Sequence, residues 1–532
     1  MHRVGITFGI IIMALSIGLV GAQETELTGV LDDDTPSMAY EVNLQAGESL
    51  LVTVEATGGD LDTVLEVRNL AGDLVAYNDD RGPHITDSAL IYEASERGIH
   101  FVIVGRYEFT ATQGPYTLTY RTGEADAFSL IEIFPRYDLS GPEQTFDTRH
   151  FRIHFTLEGR DATTLAYVEQ TGLAMEEVRR VQIERFGWPE PPADGARGGD
   201  SRYDVYLADI SREDILGQVL PELPYGDNPA TPFVEANAGP SYILLENDFD
   251  DSDLRGSPLE HMRSTAAHEF HHAIQVGYDS GYDPSWYYEA TSVWMETATV
   301  AEDQDATEEV AYNFQYPEIC FGTEVEDPFG GQLRYGYWIF IESIAAAHGH
   351  EAVRALWANI PRYGGFEALE RTLRDYDDSL LEALVRYRLK NLVRDYDLAP
   401  LFEATVWLED TIRRTGMQRF IGKGVQELGA NYLELRLPDG AFEVSLRNDD
   451  GRLRLWAVGI AGKTASIIPL ERRGTVDSGA YERLYLMVFN PDFDNSVNDC
   501  YYTEYDLDVQ PGTDSPALVG AVWDVPHFLP LR

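Results

Sequence analysis

Hydrophobic and polar residues alternate along the first hundred positions after Gln23 with the two-residue period of β-strands. Gly, Asp and Asn, which favour turns, separate the alternating runs. Short strands at such regular spacing predict a β-sandwich over residues 23–123. The runs that carry this prediction are SLLVTVEA, TVLEVRN, HFVIVGRY and YTLTYRT.

Residues 124–148 interrupt the alternation. This segment holds Pro and Gly residues and no sustained period, which predicts a linker. Strand and helix patterns then follow each other over residues 149–400, which predicts an α+β domain. Residues 401–532 return to alternating runs such as YLELRLP, FEVSLRN and LYLMVFN. They predict a second, β-sandwich-like domain, so the chain is expected to be multidomain.

The predicted α+β domain begins with the strand HFRIHFT, whose polar side we expect to face solvent; it consists of His150, Arg152 and His154. A helix over about 162–186 and the strands RYDVYLAD and SYILLEND follow. Residues 301–332 are acidic and irregular in pattern. LRYGYWIFIESIAAAHG then predicts a strong helix, and amphipathic helices continue to about Leu398.

A helix start is signalled at Ser257. Ser257 and Glu260 have the spacing of a capping box, and Pro258 suits the first helical position. Apolar residues recur at helical spacing from Leu259 until Gly277, which we expect to end the helix.

His268 and His272 lie one turn apart on the same face of this predicted helix. Two imidazoles at that spacing can converge on one metal ion. Glu269 follows the first of them, and from there its carboxylate can reach a water molecule in an open coordination position. This HExxH arrangement is that of zinc hydrolases. We therefore predict one catalytic Zn²⁺, with His268 and His272 as ligands and Glu269 as the general base.

A catalytic zinc site usually has three protein ligands and one water, so a third ligand is required. Gln275 and Tyr278 stand where the metzincin continuation has glycine and a third histidine. A second helical pattern begins near Trp286 and carries Glu289 and Glu296 on nearly the same face. About 10 Å of helix rise separates these two carboxylates, so only one of them can bind the ion.

HEFHH followed by WYYEATSVWMET resembles the gluzincin metallopeptidases, whose second helix brings a Glu to the zinc shortly after an aromatic residue. The resemblance implies a zincin-like catalytic domain with a helical C-terminal lobe, peptide-bond hydrolysis, and Glu289 as the third ligand. Sixteen residues separate His272 from Glu289, slightly fewer than in the family, which keeps Glu296 as the alternative. His271 lies about 60° from His268 around the helix, and we expect it to pack or to support a ligand.

The same resemblance suggests two further roles. Gluzincins draw a Tyr or His from the lobe after the zinc helices to hold the developing oxyanion. We nominate Tyr335 for this role over the alternatives Tyr337, His348 and His350. The last strand before the zinc helix, Ser241–Glu246, is expected to border the cleft and to pair with an extended peptide.

The first domain resembles the bacterial pre-peptidase C-terminal domain. The resemblance is carried by AYEVNLQAGESLLVTVEA, DLDTVLEVRNLAGDLVAYNDD and GPYTLTY. It implies an accessory or binding module, here at the N-terminal end. Its acidic turns offer oxygen ligands for Ca²⁺, with solvated turn carboxylates as the alternative; they are Asp60, Asp62, Asp79 and Asp80.

Charge narrows the choice of partners. The formal net charge is −50 at pH 7, and the basic residues are almost all Arg. Nucleic acid and anionic membrane surfaces repel such a chain. We therefore expect protein or peptide substrates and no nucleic acid; the oligomeric state is not indicated.

The N-terminal residues predict export. His2 and Arg3 precede an apolar run over 4–20, and Gly21 and Ala22 follow it, which predicts a secretory signal over residues 1–22. An uncleaved membrane anchor is the alternative. We expect a secreted, extracellular protein; the periplasm and the cell surface are the alternative locations. We expect no stable membrane insertion after the signal is cleaved. Cys320 and Cys500 could then form a disulfide, and two buried thiols are an equal alternative.

The patterns together predict a secreted zinc metallopeptidase. One alternative is a catalytically inactive secreted or surface binding protein in which zinc is a structural brace. Glu269 argues against it, because a structural site does not need that carboxylate. The other alternative is a zinc hydrolase of non-peptide amides or esters, which HExxH alone does not exclude.

Overall fold

The computed structural model describes residues 24–82, 85–107, 112–123, 133–211, 215–223, 225–250, 256–281, 284–300, 304–323, 331–448, 451–493, 500–512, 520–529 and 531. The predicted signal segment lies outside these residues. The chain divides into two compact units, Met1–Asp138 and Leu139–Arg532. None of the helices in the described ranges has the length and apolar character needed to cross a membrane.

The N-terminal unit is a β-sandwich, as its alternating pattern predicts. One antiparallel sheet has the strand order β1-β8-β3-β6 and the other the order β2-β7-β4-β5. Alternate residues such as Val52, Leu65 and Leu118 are fully buried in a core shared by both sheets. The strands are β1 (Thr25–Leu31), β2 (Ser37–Leu44), β3 (Ser49–Ala56), β4 (Thr63–Arg68), β5 (Leu74–Asn78), β6 (Ser88–Glu93), β7 (Gly98–Arg106) and β8 (Gly114–Gly123).

A mixed sheet opens the second unit. Its strands are β9 (Gln144–Asp147), β10 (Phe151–Phe155), β11 (Tyr203–Ala208), β12 (Gly217–Pro221) and β13 (Ser241–Glu246). The order is β12-β13-β11-β10-β9, with β10, β11 and β13 parallel and the outer strands antiparallel to their neighbours. β9 lies within the segment whose composition predicts a linker.

The prediction that Ser241–Glu246 borders the cleft is wrong. β13 is an interior strand that pairs with β11 on one side and with β12 on the other, and all six of its residues are buried. A fully paired strand has no free edge for a peptide. The edge strand next to β13 is β12, a short segment that bears little periodic signal.

The polar side of β10 is not the solvated face that its alternation predicts. His154 is 1% exposed and lies between two carboxylates, with Nδ1 2.7 Å from Glu143 and Nε2 2.9 Å from Asp204. Its ring stacks on Tyr206. Arg152 pairs with Asp147 on the neighbouring strand. Hydrogen bonds of His154 and the Arg152–Asp147 ion pair therefore satisfy the polar groups that the pattern predicts to face solvent.

Helices pack against this sheet and form the lobe that follows it. They are α1 (Leu165–Arg179), which continues as a π-helix over Arg180–Arg185, α2 (Pro258–Val276), α3 (Ser285–Thr299), α4 (Gln304–Gln315), α5 (Leu333–Gly336), α6 (Trp338–His348), α7 (His350–Tyr363), α8 (Gly365–Asp375) and α9 (Leu380–Val393). α4 falls in the stretch that looks irregular in sequence, so that part of the prediction is wrong. The strong helix predicted from Leu333 is interrupted at Tyr337 and becomes α5 and α6.

The C-terminal strands form two further sheets, ordered β14-β16-β21-β18-β19-β23 and β15-β22-β17-β20, with a shared core. Their bounds are β14 (Asp410–Ile412), β15 (Gly416–Val425), β16 (Ala430–Leu435), β17 (Ala441–Arg447), β18 (Arg454–Ala461), β19 (Thr464–Glu471), β20 (Arg473–Asp477), β21 (Arg483–Phe489), β22 (Thr503–Pro511) and β23 (Ala521–Asp524). This is the predicted sandwich. One face of this sandwich packs against the helices. On that face, the Tyr432 hydroxyl donates to the carbonyl oxygen of Arg388 on α9. A disulfide joins Cys320 to Cys500.

Candidate metal centre

Helix α2 begins and ends where its sequence signals predict. The Ser257 hydroxyl accepts from the backbone N–H of Glu260, and the Glu260 carboxylate accepts from the backbone N–H of Ser257. This capping box satisfies two of the N–H groups that a helix start leaves unpaired. Gly277 follows the last residue of α2. The helix therefore holds His268 and His272 in a rigid i, i+4 relation.

Helix α3 packs against α2 and is buried along most of its length. It begins after Pro284, and its buried residues run from Trp286 to Glu296. The side chains of Glu289 and Glu296 are only 5% and 10% exposed. Carboxylates buried to this degree need a cation or hydrogen-bond donors. Both carboxylates reach the histidines of α2, but they reach different atoms.

Three electron-pair donors meet between the two helices. His268 Nε2 lies 2.9 Å from His272 Nε2 and 3.1 Å from Glu289 Oε2. His272 Nε2 lies 3.4 Å from the same carboxylate oxygen. Ligands of a tetrahedral zinc ion stand roughly 3.3 Å apart, given bonds of about 2 Å. The spacing and the chemistry of these donors fit that ion.

The outer nitrogens of the imidazoles show which ring atoms carry protons. His268 Nδ1 faces a carboxylate oxygen of Glu296, which can only accept, so Nδ1 is the donor. His272 Nδ1 lies 2.6 Å from the Gln275 side-chain oxygen. The Gln275 amide nitrogen donates to the Tyr288 carbonyl oxygen, at 2.9 Å, which fixes the orientation of this amide.

A neutral imidazole that carries its proton on Nδ1 has a lone pair on Nε2. When both rings are in this tautomer, the two Nε2 lone pairs and the Glu289 oxygen point at one another without a proton between them. Such an arrangement is repulsive unless a metal ion or an added proton lies at its centre. The group formed by His268, His272 and Glu289 can thus hold a metal ion, and Glu296 and Gln275 support the two ligating rings from behind.

Electrostatics show that this cluster attracts positive charge. Burial raises the pKa of Glu289, but hydrogen bonds from His268 and His272, which place a proton between these atoms when no metal ion is bound, outweigh it and hold the pKa well below its usual range. Burial lowers the pKa of His268, and the Glu289 carboxylate more than reverses that effect. Glu289 is therefore an anion at neutral pH, as a metal ligand must be.

Glu269 lies beside the cluster and outside the ligand set. It is 6% exposed. Burial raises its pKa, and the nearby imidazoles and the backbone N–H of Val219 act in the opposite direction. Strand β12 passes directly over this side chain at Gly217. A carboxylate of this kind, poised next to a metal position, is suited to accept a proton.

Tyr335 lies near His268. Its ring centroid is 6.1 Å from that of His268. Burial, followed by the charge of Glu289, raises the pKa of Tyr335, so the phenol keeps its proton. The guanidinium of Arg334 lies over the Tyr335 ring, and its Nε is 3.9 Å from the second oxygen of Glu289.

The other nominated residues lie elsewhere. The Tyr337 hydroxyl accepts from the backbone N–H of Gly322 within the core. His348 pairs with Asp378, and the His350 ring packs on Phe186. None of these contacts involves the histidines of α2.

His271 points away from the cluster. Its Nδ1 lies 3.1 Å from the Gln182 side-chain oxygen, and its ring packs edge-on against Trp188. Burial holds the pKa of His271 well below its usual range, so the ring is neutral.

The acidic turns of the N-terminal unit bring Asp62, Asp79 and Asp80 together. Burial and the charge of Asp79 raise the pKa of Asp62. Burial, Asp79 and Asp62 raise the pKa of Asp80 to about 6. Asp60 accepts a hydrogen bond from the backbone N–H of Gln113. Calcium binding at this cluster stays a prediction.

The sequence did not single out Gln275 as a partner of His272. Its side chain is fully buried, and it bridges His272 on α2 to the backbone of α3. A signal for this was present, because residues three apart share a helix face and a buried Gln must find partners. Ser292, 3.2 Å from the same ring nitrogen, carried no such signal.

No protein-family model and no curated protein matches the chain. Among solved structures, the catalytic module of the metalloprotease ZmpA from Clostridium perfringens is similar at 10% identity and TM-score 0.22, over 81% of this chain and 90% of that one. The M60 catalytic domain of ZmpB with its CBM51 domains, from the same organism, has 10% identity and TM-score 0.28 over 85% and 54%. The pre-peptidase C-terminal domain of a Bacillus anthracis collagenase has 16% identity and TM-score 0.16 over 18% and 88%. These similarities are weak.

Proposed function

We propose that the chain is a secreted zinc metallopeptidase that hydrolyses peptide bonds. The observation that supports this most is the convergence of the ligand atoms of His268, His272 and Glu289. A purely structural zinc site would need only these ligands. Glu269, a buried carboxylate beside them, adds the group that a hydrolase requires and a brace does not.

In the proposed reaction, each residue has one task. Zinc, when bound, supplies a Lewis acid that polarises the scissile carbonyl and acidifies water. Glu269 accepts the proton of the attacking water and passes it to the leaving amine. Tyr335 donates a hydrogen bond to the carbonyl oxygen as negative charge develops there. Glu296 and Gln275 keep the two imidazoles aimed at the metal position.

The proposed domain organisation is a signal over 1–22, an accessory sandwich over 23–123, a linker over 124–148, a catalytic domain over 149–400 and a β-rich domain over 401–532. The disulfide between Cys320 and Cys500 supports export, because such bonds persist in oxidising compartments. The large acidic excess supports protein substrates over polyanions.

The experiment compares the mature chain with Glu269→Gln, each loaded with zinc, on unfolded casein. Bound metal is quantified in both proteins. We expect one zinc in each and a loss of roughly 10²–10⁴-fold in hydrolysis for the variant, because proton transfer by a positioned carboxylate contributes that much. Phe270→Leu, which changes the next residue along α2 but lies in the core, serves as the control.

Absence of cleavage by the zinc-loaded wild type on casein and on a panel of peptides would contradict the proposal. Ester or non-peptide amide hydrolysis in the same panel would then point to the alternative hydrolase. If Glu269→Gln cleaved casein as fast as the wild type, the role given to Glu269 would be wrong.

A further inference from the structure

The edge strand β12 crosses α2 at the residue that the proposed reaction uses as its base. A Cβ placed on Gly217 would lie 2.6 Å from Cγ and 2.8 Å from Oε1 of Glu269. It would also lie 2.7 Å from Cγ2 of Thr265, one turn earlier on the helix. Thr265 and Glu269 thus form a notch, and the bare backbone of Gly217 fills it.

Size, and not backbone conformation, accounts for the glycine at this position. Gly217 does not have the positive φ that would disfavour other residues, whereas Gly195 and Gly199 in the same domain do. Alanine at position 217 would therefore be compatible with the strand backbone. Only the contact with α2 excludes a side chain.

The strand cannot easily retreat from the helix. β12 is tied to the buried strand β13 by an antiparallel ladder that pairs Gly217 with Leu245 and Pro221 with Ser241. The backbone N–H of Glu246 donates to the carbonyl oxygen of Leu216 and extends this attachment. A methyl group at position 217 would therefore displace the more flexible partner, which is the Glu269 side chain.

We propose that Gly217 is a positioning residue for Glu269: its missing side chain lets β12 lie against the carboxylate and fixes the direction in which that carboxylate points. The backbone N–H of Val219, two residues further along β12, donates a hydrogen bond to the Glu269 carboxylate and acts with this contact. The inference rests on the proposed function for the chemistry of Glu269, and on the contact alone for the geometry.

The test is Gly217→Ala in the full mature chain, with Gly226→Ala as the matched control. A Cβ on Gly226 meets nothing within 4 Å, and this residue also precedes β13. We expect Gly217→Ala to keep its zinc affinity within about threefold, because Glu269 is not a ligand. Its kcat on casein peptides should fall roughly 10–100-fold with little change in KM, because small misplacements of catalytic groups cost about that much.

A second readout does not depend on turnover. Acetohydroxamate binds zinc and gives its proton to a neighbouring carboxylate, so its affinity for the zinc-loaded protein reports the position of Glu269. We expect Gly217→Ala to weaken this binding about tenfold and Gly226→Ala to leave it unchanged. In a Glu269→Gln background, Gly217→Ala should have no further effect, because the effects of coupled residues are not additive.

Wild-type kcat and hydroxamate affinity in Gly217→Ala would overturn the proposal, and so would a parallel loss of zinc affinity, which would mean that β12 supports the ligands. If Gly217→Ala does not fold, the double variant Gly217→Ala with Thr265→Ser takes its place, because it removes the contact with the Thr265 methyl group and keeps the contact with Glu269. A wild-type kcat in the double variant would also overturn the proposal. If the wild type cleaves no peptide, the peptidase function fails, whereas the hydroxamate comparison still decides the role of Gly217.

Discussion

Glu296 accepts a hydrogen bond from Nδ1 of His268, and Glu289 faces Nε2 on the other edge of the same ring. One imidazole thus lies between two carboxylates of α3 that are two helical turns apart. Ser264 donates to the second oxygen of Glu296, at 3.0 Å, and holds it in place. The two acids therefore have different tasks, and this difference can be measured.

Glu296→Leu should lower zinc affinity by about 10–100-fold and leave one zinc per chain at saturation, because it removes a support of a ligand. Glu289→Leu should abolish stoichiometric binding, because Glu289 is a ligand in the proposed site. Competition with a chromophoric chelator measures both affinities. The reverse ranking would assign the third ligand to Glu296.

Tyr335→Phe should lower kcat by roughly 10²–10³-fold with unchanged zinc affinity, since one oxyanion donor is worth about that much. Tyr337→Phe is the matched control, because its hydroxyl accepts from the backbone N–H of Gly322 in the core. Steady-state kinetics on a casein peptide, with bound zinc quantified, provide the comparison. Equal kcat values for the two variants would remove Tyr335 from the mechanism.

Replacing both cysteines by alanine should lower the free energy of unfolding of the second unit by about 2–5 kcal/mol, because the bond closes a loop of 180 residues. All 8 tryptophans lie after residue 138, so guanidinium unfolding followed by tryptophan fluorescence reports this unit. The wild type treated with reductant is the control and should lose a similar amount. An unchanged midpoint would show that the bond adds nothing to stability.

Asp80→Asn should stabilise the N-terminal unit at pH 7. The pKa of Asp80 is about 6 in the folded chain against 3.8 for a free side chain, so the folded state binds more protons between these values. Its contribution to stability is therefore lost as pH rises from about 3.8 to 6. Because Asp80 is only partly buried and water screens its charge, the gain at pH 7 is at most about 1 kcal/mol.

Hydrogen exchange in β4 and β6 measures this effect, because no tryptophan lies in the N-terminal unit. Asp80→Asn should increase protection at pH 7, and the difference should shrink towards zero near pH 4. Asp73→Asn, in an exposed turn of the same unit, is the control. A difference that grew on acidification would mean that folding lowers the pKa of Asp80 instead of raising it.

The elements whose sequence carries both a period and an end signal could be predicted. Helix α2 has the capping box at Ser257 and the terminal Gly277, and the structure confirms both. The sandwich strands follow from strict alternation. Within the site, the His268 and His272 pair follows from helical spacing alone, whereas the choice between Glu289 and Glu296 needs the packing of α3 on α2.

The remainder depends on contacts that no local pattern contains. His154 alternates like a surface residue, yet it is buried and contacts Asp204, which is 50 residues away in sequence. Strand β13 is expected at the edge of the sheet because β12, which covers it, is only five residues long and is not predicted from the sequence. Gly217 looks like an ordinary loop glycine until the helix beneath it is known.

The disulfide between Cys320 and Cys500 also determines what a single proteolytic nick can do to this protein. Tyr335 lies inside the covalent loop, and His268, His272 and Glu289 lie before it. A cut between the two cysteines would leave both pieces joined, so Tyr335 or its segment could not diffuse away from the metal cluster. On a gel, such a nicked chain would migrate as one species until a reductant separated it.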